Sequence, residues 1–398
     1  MVHFYPYITA TVRIKINRLK IVNSYMSKIK ILYISSTLSS SGPTNVIFNI
    51  VKYLDRERFE PVILTLSPEP QDSALPRFQE LGLNFYSLGF SRRQGFLMGK
   101  SALKHFVAKH QPDVIHSHGI RPDIFSAECL QEYKRFTTIH NYPYEDYTMK
   151  YGQLLGRYLA WRQIMAFRKI DYPVAICESL RQHIQSYEIP SHTIYNGVDI
   201  NTFNPATNDE RLALRQKLGM PVDRKIFVSV GHLMNRKDPE TVIRGFLASN
   251  AKHYTIILFI GDGPLRKHCQ KLSQGKDCIK FTGKVNNVHD YIRAADYFIS
   301  ASLSEGLGYV VVEALACGIP VCISDIEPFK EIISYNEKAG LLFPVGDSQS
   351  LATSIDRLFL NENIQEMSEA GVEIVNKYFN AKKMSEDYQN LYEKANSE

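Results

Sequence analysis

The hydrophobic pattern of the chain becomes regular at Ile29, where a nearly continuous apolar run extends to Ser35. Small residues follow from Ser36 to Pro43, and then an amphipathic segment from about Thr44 to Leu54. Strand, loop and helix in that order make the first unit of a parallel sheet. Short apolar runs recur at Val62–Leu66, Asn84–Leu88, Asp113–His116, Phe136–Ile139, Val174–Ile176 and Thr193–Tyr195, with helical segments among them. Strands buried on both faces read this way, rich in Val and Ile and without alternation. The pattern lapses over Asn196–Pro205, which is turn-rich, and restarts after a helix near Arg211–Leu218. The second series of strands is predicted at Ile226–Val230, Thr255–Ile260, Ile279–Phe281, Tyr297–Ser300, Pro320–Ile323 and Gly340–Phe343.

Two such series predict an α/β protein of two doubly wound, Rossmann-like domains, over residues 27–198 and 199–378. A polar terminal helix at 379–398 sets Met384, Tyr388, Leu391 and Tyr392 at helical spacing, as a helix packing back across the domain boundary does. Residues 1–26 stand apart. They are basic and lack an apolar core and a cleavage site, so they do not read as a secretory signal. They read as a disordered or untranslated extension ahead of Met26, with a membrane-surface arm as the alternative.

Composition changes this picture little. A chain of 398 residues suits two domains. No apolar run approaches the roughly 20 residues that span a bilayer. The net charge of +6 is carried by the first 30 residues, which hold six basic residues and no acidic one. The body is therefore neutral, and a nucleic-acid partner is not expected. The six cysteines are scattered without a C-x-x-C pair and read as core residues of a cytoplasmic protein.

Ligands of open parallel sheets bind beyond the carboxyl ends of the strands. Gly42 lies in a small-residue loop after the first strand. It permits close approach of an anion to a helix end, although an ordinary turn reads the same. His116 and His118 follow the strand at 113–116, and His140 follows the strand at 136–139. No third ligand completes a metal site around them. His232, Arg236 and Lys237 follow the strand at 226–230, where two cations can stabilise a departing diphosphate. Gly261–Pro264 reads as a turn opening a helix, with Pro in its first turn. Ser304–Glu313 follows the strand at 297–300, with two glycines ahead of a helix that carries Glu313 among apolar residues. A carboxylate there is costly unless it meets a polar ligand.

These residues together resemble the retaining glycosyltransferases of family 4, which have the GT-B fold. The resemblance rests on EGLGYVVVEALACGIPV, with Glu305 and Glu313 in an E-x7-E pattern, on VGHLMNRKD at 230–238, on NGVDINTFNP at 196–205 and on DVIHSHG at 113–119. It implies that two Rossmann-like domains face each other across a cleft. It implies that Glu305 binds hydroxyls of the donor sugar, aided by backbone amides of Gly306, Leu307, Gly308, Tyr309 and Val310. Glu313 would bind the ribose, Lys237 the diphosphate, His140 would lie by the transferred sugar, and Gly42 would sit near the diphosphate. The family usually has Arg where this chain has His232. Arg236 would supply the missing charge, or else His232 would make a weaker, pH-dependent contact.

The implied reaction moves a sugar from a UDP- or GDP-sugar to a glycan or lipid-linked acceptor, with retention and without a metal ion, in surface polysaccharide synthesis. His140, Glu305 and Lys237 are the catalytic candidates. The specificity loops are expected within 36–45, 89–100 and 141–155. The segment Lys150–Lys169 mixes Leu154, Leu155, Leu159, Trp161 and Met165 with basic residues. It reads as a core-packing helix with a basic outer face, or as a helix resting on anionic lipid at the cytoplasmic face of the inner membrane. Two other readings of the chain are a nucleotide-sugar epimerase or hydrolase of the same architecture, and a nucleotide-sugar-binding protein without catalysis.

Overall fold

The computed structural model describes residues 28–398. The reading of residues 1–26 lies outside the described residues.

The first sheet is built of β1 (Ile29–Ser35), β2 (Phe59–Thr65), β3 (Asn84–Ser87), β4 (Val114–His118), β5 (Lys134–Ile139), β6 (Tyr172–Ala175) and β7 (His192–Thr193). The second is built of β8 (Lys225–Val230), β9 (Thr255–Ile260), β10 (Ile279–Gly283), β11 (Tyr297–Ser300), β12 (Val321–Ser324) and β13 (Gly340–Phe343). Their orders are β3-β2-β1-β4-β5-β6-β7 and β10-β9-β8-β11-β12-β13. Every strand pairing within the two sheets is parallel. Right-handed crossovers through helices put helices on both faces, so central strands are buried throughout. That is why β4 and β9 show no exposed position at all.

The order reverses between β1 and β4 in the first sheet, and between β8 and β11 in the second. Loops leaving adjacent strands at such a switch point diverge and open a crevice. The loops after β1, β8 and β11 are those that carry Gly42, His232–Lys237 and Glu305–Gly308.

Three local expectations need correction. β4 runs to His118, so His116 and His118 both belong to the strand. Residues two apart share a face of a strand, and their rings stand 4.3 Å apart. The helix after Gly261–Pro264 begins only at Arg266, which leaves Pro264 in the preceding turn. Gly261 and Gly263 instead answer to packing, because a Cβ on them would come within 2.0 Å of the Gly231 carbonyl oxygen and 2.4 Å of that of Leu233. Finally, Lys150–Lys169 is not one helix. A helix at Pro143–Tyr151 ends and another at Gln153–Phe167 begins at Gly152, whose φ of 78° needs glycine. Leu154, Leu155 and Trp161 point outward rather than into the core.

The chain crosses between the domains twice. Val198 donates its N–H to the carbonyl of Phe379 and accepts from Ala381 N–H, at 2.8 and 2.9 Å, so the two crossings pair with each other. The helix Ala381–Ser397 then lies on the first domain, where Met384, Tyr388, Tyr392 and Ala395 join the core beside Tyr33, Phe59 and Phe136. The cysteines are free thiols, five of them buried.

Candidate functional site

The second domain supplies a cluster of charge. The loop after β8 ends in a single 3-10 turn, Asn235–Lys237, which delivers Arg236 and Lys237 side by side. The loop after β11 brings Glu305 between them. Arg236 Nη1 donates to Glu305 Oε2 at 2.7 Å and to the Ser304 carbonyl at 2.8 Å. Lys237 pairs with Glu305 Oε1, which also accepts from Ser302 Oγ at 2.8 Å. Glu305 is buried, which alone would raise its pKa. The adjacent Lys237 and Arg236 outweigh that and hold it at about 2. It is a fixed anion at any working pH, and the three side chains together keep one net positive charge.

Past Glu305 the chain turns through Gly308, whose φ is 90° and whose absent Cβ leaves room for the Phe329 ring. The helix Tyr309–Ala316 starts there with no side-chain cap. Its first amides therefore keep free donors at a positively polarised end. One turn in, Glu313 is buried and makes neither a hydrogen bond nor an ion pair with any described residue. Burial raises its pKa to about 8, with Lys237 opposing. A buried carboxyl without a partner is expensive, and a ligand hydroxyl is the kind of group that satisfies it. Leu307 is packed in the core, and Val310 is half-buried.

The first domain closes on this loop. A Cβ on Gly306 would lie 2.0 Å from the His140 carbonyl oxygen, and Cys177 Sγ donates to the Gly306 carbonyl at 3.0 Å. His140 thus stands directly opposite Glu305–Gly306, at the carboxyl end of β5. It is half-buried, and its Nε2 is 3.1 Å from His118 Nδ1. Burial lowers its pKa to about 3, so the ring is neutral near pH 7. His116 plays a different part. It is wholly buried, bonded to Tyr392 Oη at 2.6 Å and Thr138 Oγ1 at 2.8 Å, and belongs to the core.

Gly42 begins the helix Gly42–Lys52, which Ser41 caps through Thr44 N–H. It is exposed, and a Cβ there would meet no described residue within 4 Å, so packing among the described residues does not require glycine. His232 is exposed. Arg236 alone of the two turns toward Glu305.

Several residues of the cleft had no signal in the sequence pattern. Glu145 and Asp146, in the first turn of Pro143–Tyr151, accept from Ser304 Oγ at 3.3 and 3.4 Å. Burial raises the Asp146 pKa against the pull of Arg236. The Tyr309 side chain reaches across to the first domain, where its hydroxyl donates to the Gly197 carbonyl and accepts from Asn49 Nδ2, both at 2.6 Å. Glu331 accepts from the amides of Glu178 and Ser179, both at 2.8 Å, and so caps a helix of the other domain. A capping carboxylate usually precedes its helix closely, and no local rule finds one 153 residues away in the chain. Among the described residues no group of three or more His, Cys, Asp or Glu is gathered as a metal site, and no helix is long and apolar enough to cross a membrane.

Residues 40–202 match the family described as Glycosyltransferase Family 4, and residues 210–373 match Glycosyl transferases group 1. The O-antigen biosynthesis glycosyltransferase WclY of Escherichia coli is 28% identical over 377 residues, which is 91% of this chain and 98% of that protein. The UDP-Gal:alpha-D-GlcNAc-diphosphoundecaprenol alpha-1,3-galactosyltransferase of Escherichia coli is 22% identical over 396 residues, covering 93% and 98%. Among solved structures, Anabaena Alr3699/HepE in complex with UDP-glucose superposes with a TM-score of 0.77 at 17% identity, covering 92% of this chain and 99% of that one. The chain is thus a two-domain GT-B protein that carries a Glycosyltransferase Family 4 domain followed by a glycosyl transferases group 1 domain.

Proposed function

We propose that this protein transfers a sugar from a nucleotide-diphosphate sugar to a glycan or lipid-linked acceptor, with retention at the anomeric carbon, in the synthesis of a surface polysaccharide. The observation that carries the reading is the pair of glutamates at the helix Tyr309–Ala316. Glu305 is ionised and clamped by two cations, whereas Glu313, one turn into the helix, is buried and has no hydrogen-bond or ion-pair partner among the described residues. A donor that brings a sugar, a diphosphate and a ribose meets each of these groups with its chemical complement.

In this reading Glu305 holds the donor sugar's hydroxyls, helped by the amides from Gly306 to Val310. Glu313 holds the ribose hydroxyls. As the bond from the anomeric carbon to the phosphate oxygen breaks, negative charge grows on the leaving phosphate. Lys237 and Arg236, already fixed by Glu305, stabilise that charge without reorganising. The acceptor hydroxyl attacks from the face the phosphate leaves, and its proton passes to the departing phosphate. These two cations do the work often given to a divalent ion, so turnover proceeds without one. Closure of His140 over Gly306 keeps water from the activated sugar. The donor in this reading is a UDP-sugar or a GDP-sugar. WclY by its name, and the galactosyltransferase by its acceptor, support the polysaccharide and lipid-linked assignments.

We further propose that the first domain rests on the cytoplasmic face of the inner membrane. Leu154, Leu155, Tyr158 and Trp161 are exposed on the helix Gln153–Phe167, beside Lys150 and Arg157. An apolar ridge with cations at its side suits anionic lipid.

The test is donor turnover. The purified protein is incubated with UDP-, GDP- and ADP-sugars, with and without EDTA, and the released sugar's anomer is followed by NMR. Release from one donor, resistant to EDTA, with the original anomer kept and lost in Glu305→Ala, is the expected result. An inverted product, or activity abolished by EDTA, overturns the mechanism.

A further inference from the structure

His118 has no part in the reaction just described, yet it is nearly wholly buried beside the one histidine that does. The residue is 3% exposed, its Nδ1 faces His140 Nε2 at 3.1 Å, and its own Nε2 is buried with no hydrogen-bond partner among the described residues. It rests against His116, which Tyr392, on the terminal helix, and Thr138 hold from either side. The ring of His118 is therefore fixed by packing from below and touches His140 from above.

Burial makes both rings neutral near pH 7. Two neutral imidazoles in contact through Nδ1 and Nε2 share a single proton, and there are two ways to place it. If His140 Nε2 carries it, then His118 is protonated on Nε2 and buries an orphan N–H. If His118 Nδ1 carries it, His118 buries only a lone pair. Orphan buried N–H groups are the rarer of the two, so the second arrangement prevails. His140 then accepts at Nε2 and carries its own proton on Nδ1, the nitrogen that makes no bond to any described residue.

We infer that His118 is a positioning residue that holds His140 in the Nδ1–H tautomer, so that His140 meets the donor sugar as a hydrogen-bond donor rather than as a base. A partner that fixes tautomer and ring orientation from behind is a general device of functional histidines. The inference rests on the transferase reading for what His140 meets, but the tautomer itself does not depend on it.

The test uses the full chain labelled with 15N-histidine, and His140→Gln to assign the His140 signals in two-bond 1H–15N spectra. The wild type is expected to show His140 protonated on Nδ1. His118→Leu, which fills the space without a donor, is expected to move His140 toward the Nε2–H form that free histidine prefers. It should lower kcat about tenfold while the Kd for UDP or GDP stays within a factor of two. His118→Asn places an N–H where Nδ1 was and is expected to restore most of kcat. Nε2–H at His140 in the wild type overturns the inference, as does an unchanged His140 tautomer in His118→Leu. Loss of nucleotide binding in every protein, with the Nδ1–H tautomer in place, would count against the transferase reading and leave the tautomer assignment standing.

Discussion

Glu313 shows what a single residue costs and what the cost is for. In the unfolded chain its carboxyl ionises near 4.5, and in the fold at about 8. The folded state therefore binds the extra proton. The stability this group contributes is complete below the unfolded value and is lost as pH rises through the folded one. Glutamine has no proton to lose. Glu313→Gln should gain on the wild type by on the order of 1 kcal/mol per pH unit across that interval. Urea unfolding of both proteins at about pH 5 and about pH 8 measures it, and an equal gap at the two pH values would show that the carboxyl ionises freely. The same variant should bind nucleotide about tenfold more weakly, since the ribose hydroxyls then meet an amide NH2 in place of one carboxyl oxygen. Glu305 carries the opposite sign. Its depressed pKa gives stability above 4.5 that is lost only as pH falls toward 2. Both glutamates were legible from their spacing and from the glycines between them. Glu145 and Asp146 were not, because acidic residues in a helix's first turn are common for reasons local to the helix.

At the scale of elements, the loop from Ser302 to Gly308 decides how the domains meet. Gly306 does not have a positive φ, so its smallness answers to packing alone. The atom its Cβ would strike is the backbone oxygen of His140, which no rotamer change can move aside. Gly306→Ala should push the loop off the end of β5 and lower kcat about 100-fold, the usual cost of an ångström of misplacement. Nucleotide affinity, which the proposed function assigns to the second domain, should stay within about threefold by calorimetry. Equal losses in both would mean that the loop shapes the nucleotide site itself. The strands were legible to within a few residues because a buried parallel strand has few compositions open to it. Helix limits were less so. The break at Gly152 and the late start at Arg266 depend on turn geometry and packing, which periodicity does not report.

For the whole molecule, the exposed ridge on Gln153–Phe167 offers a probe built into the chain. Trp161 is the sole tryptophan and is about half exposed. Its emission should shift to the blue on vesicles containing phosphatidylglycerol and not on phosphatidylcholine alone. The shift should weaken in high salt, which screens the attraction of lipid for Lys150 and Arg157. Emission unchanged by anionic vesicles removes the membrane reading. The terminal helix is the other feature of this scale. Its face of Met384, Tyr388 and Tyr392 declared that it packs, but only the fold shows that its partner is the first domain's core and that Tyr392 reaches His116. By itself the sequence determined the two parallel-sheet domains, their order and which polar residues follow each strand. Those follow from burial periodicity and from the rule that ligands sit at strand ends, both of which act along the chain. Only the tertiary structure decided which groups pair across the cleft, Tyr309 with Asn49 and Glu331 with the amides of Glu178 and Ser179, and that His118 meets His140 within the first domain. These contacts join residues far apart in sequence, and their energy depends on distance and burial, quantities that exist only once the two sheets are folded against each other.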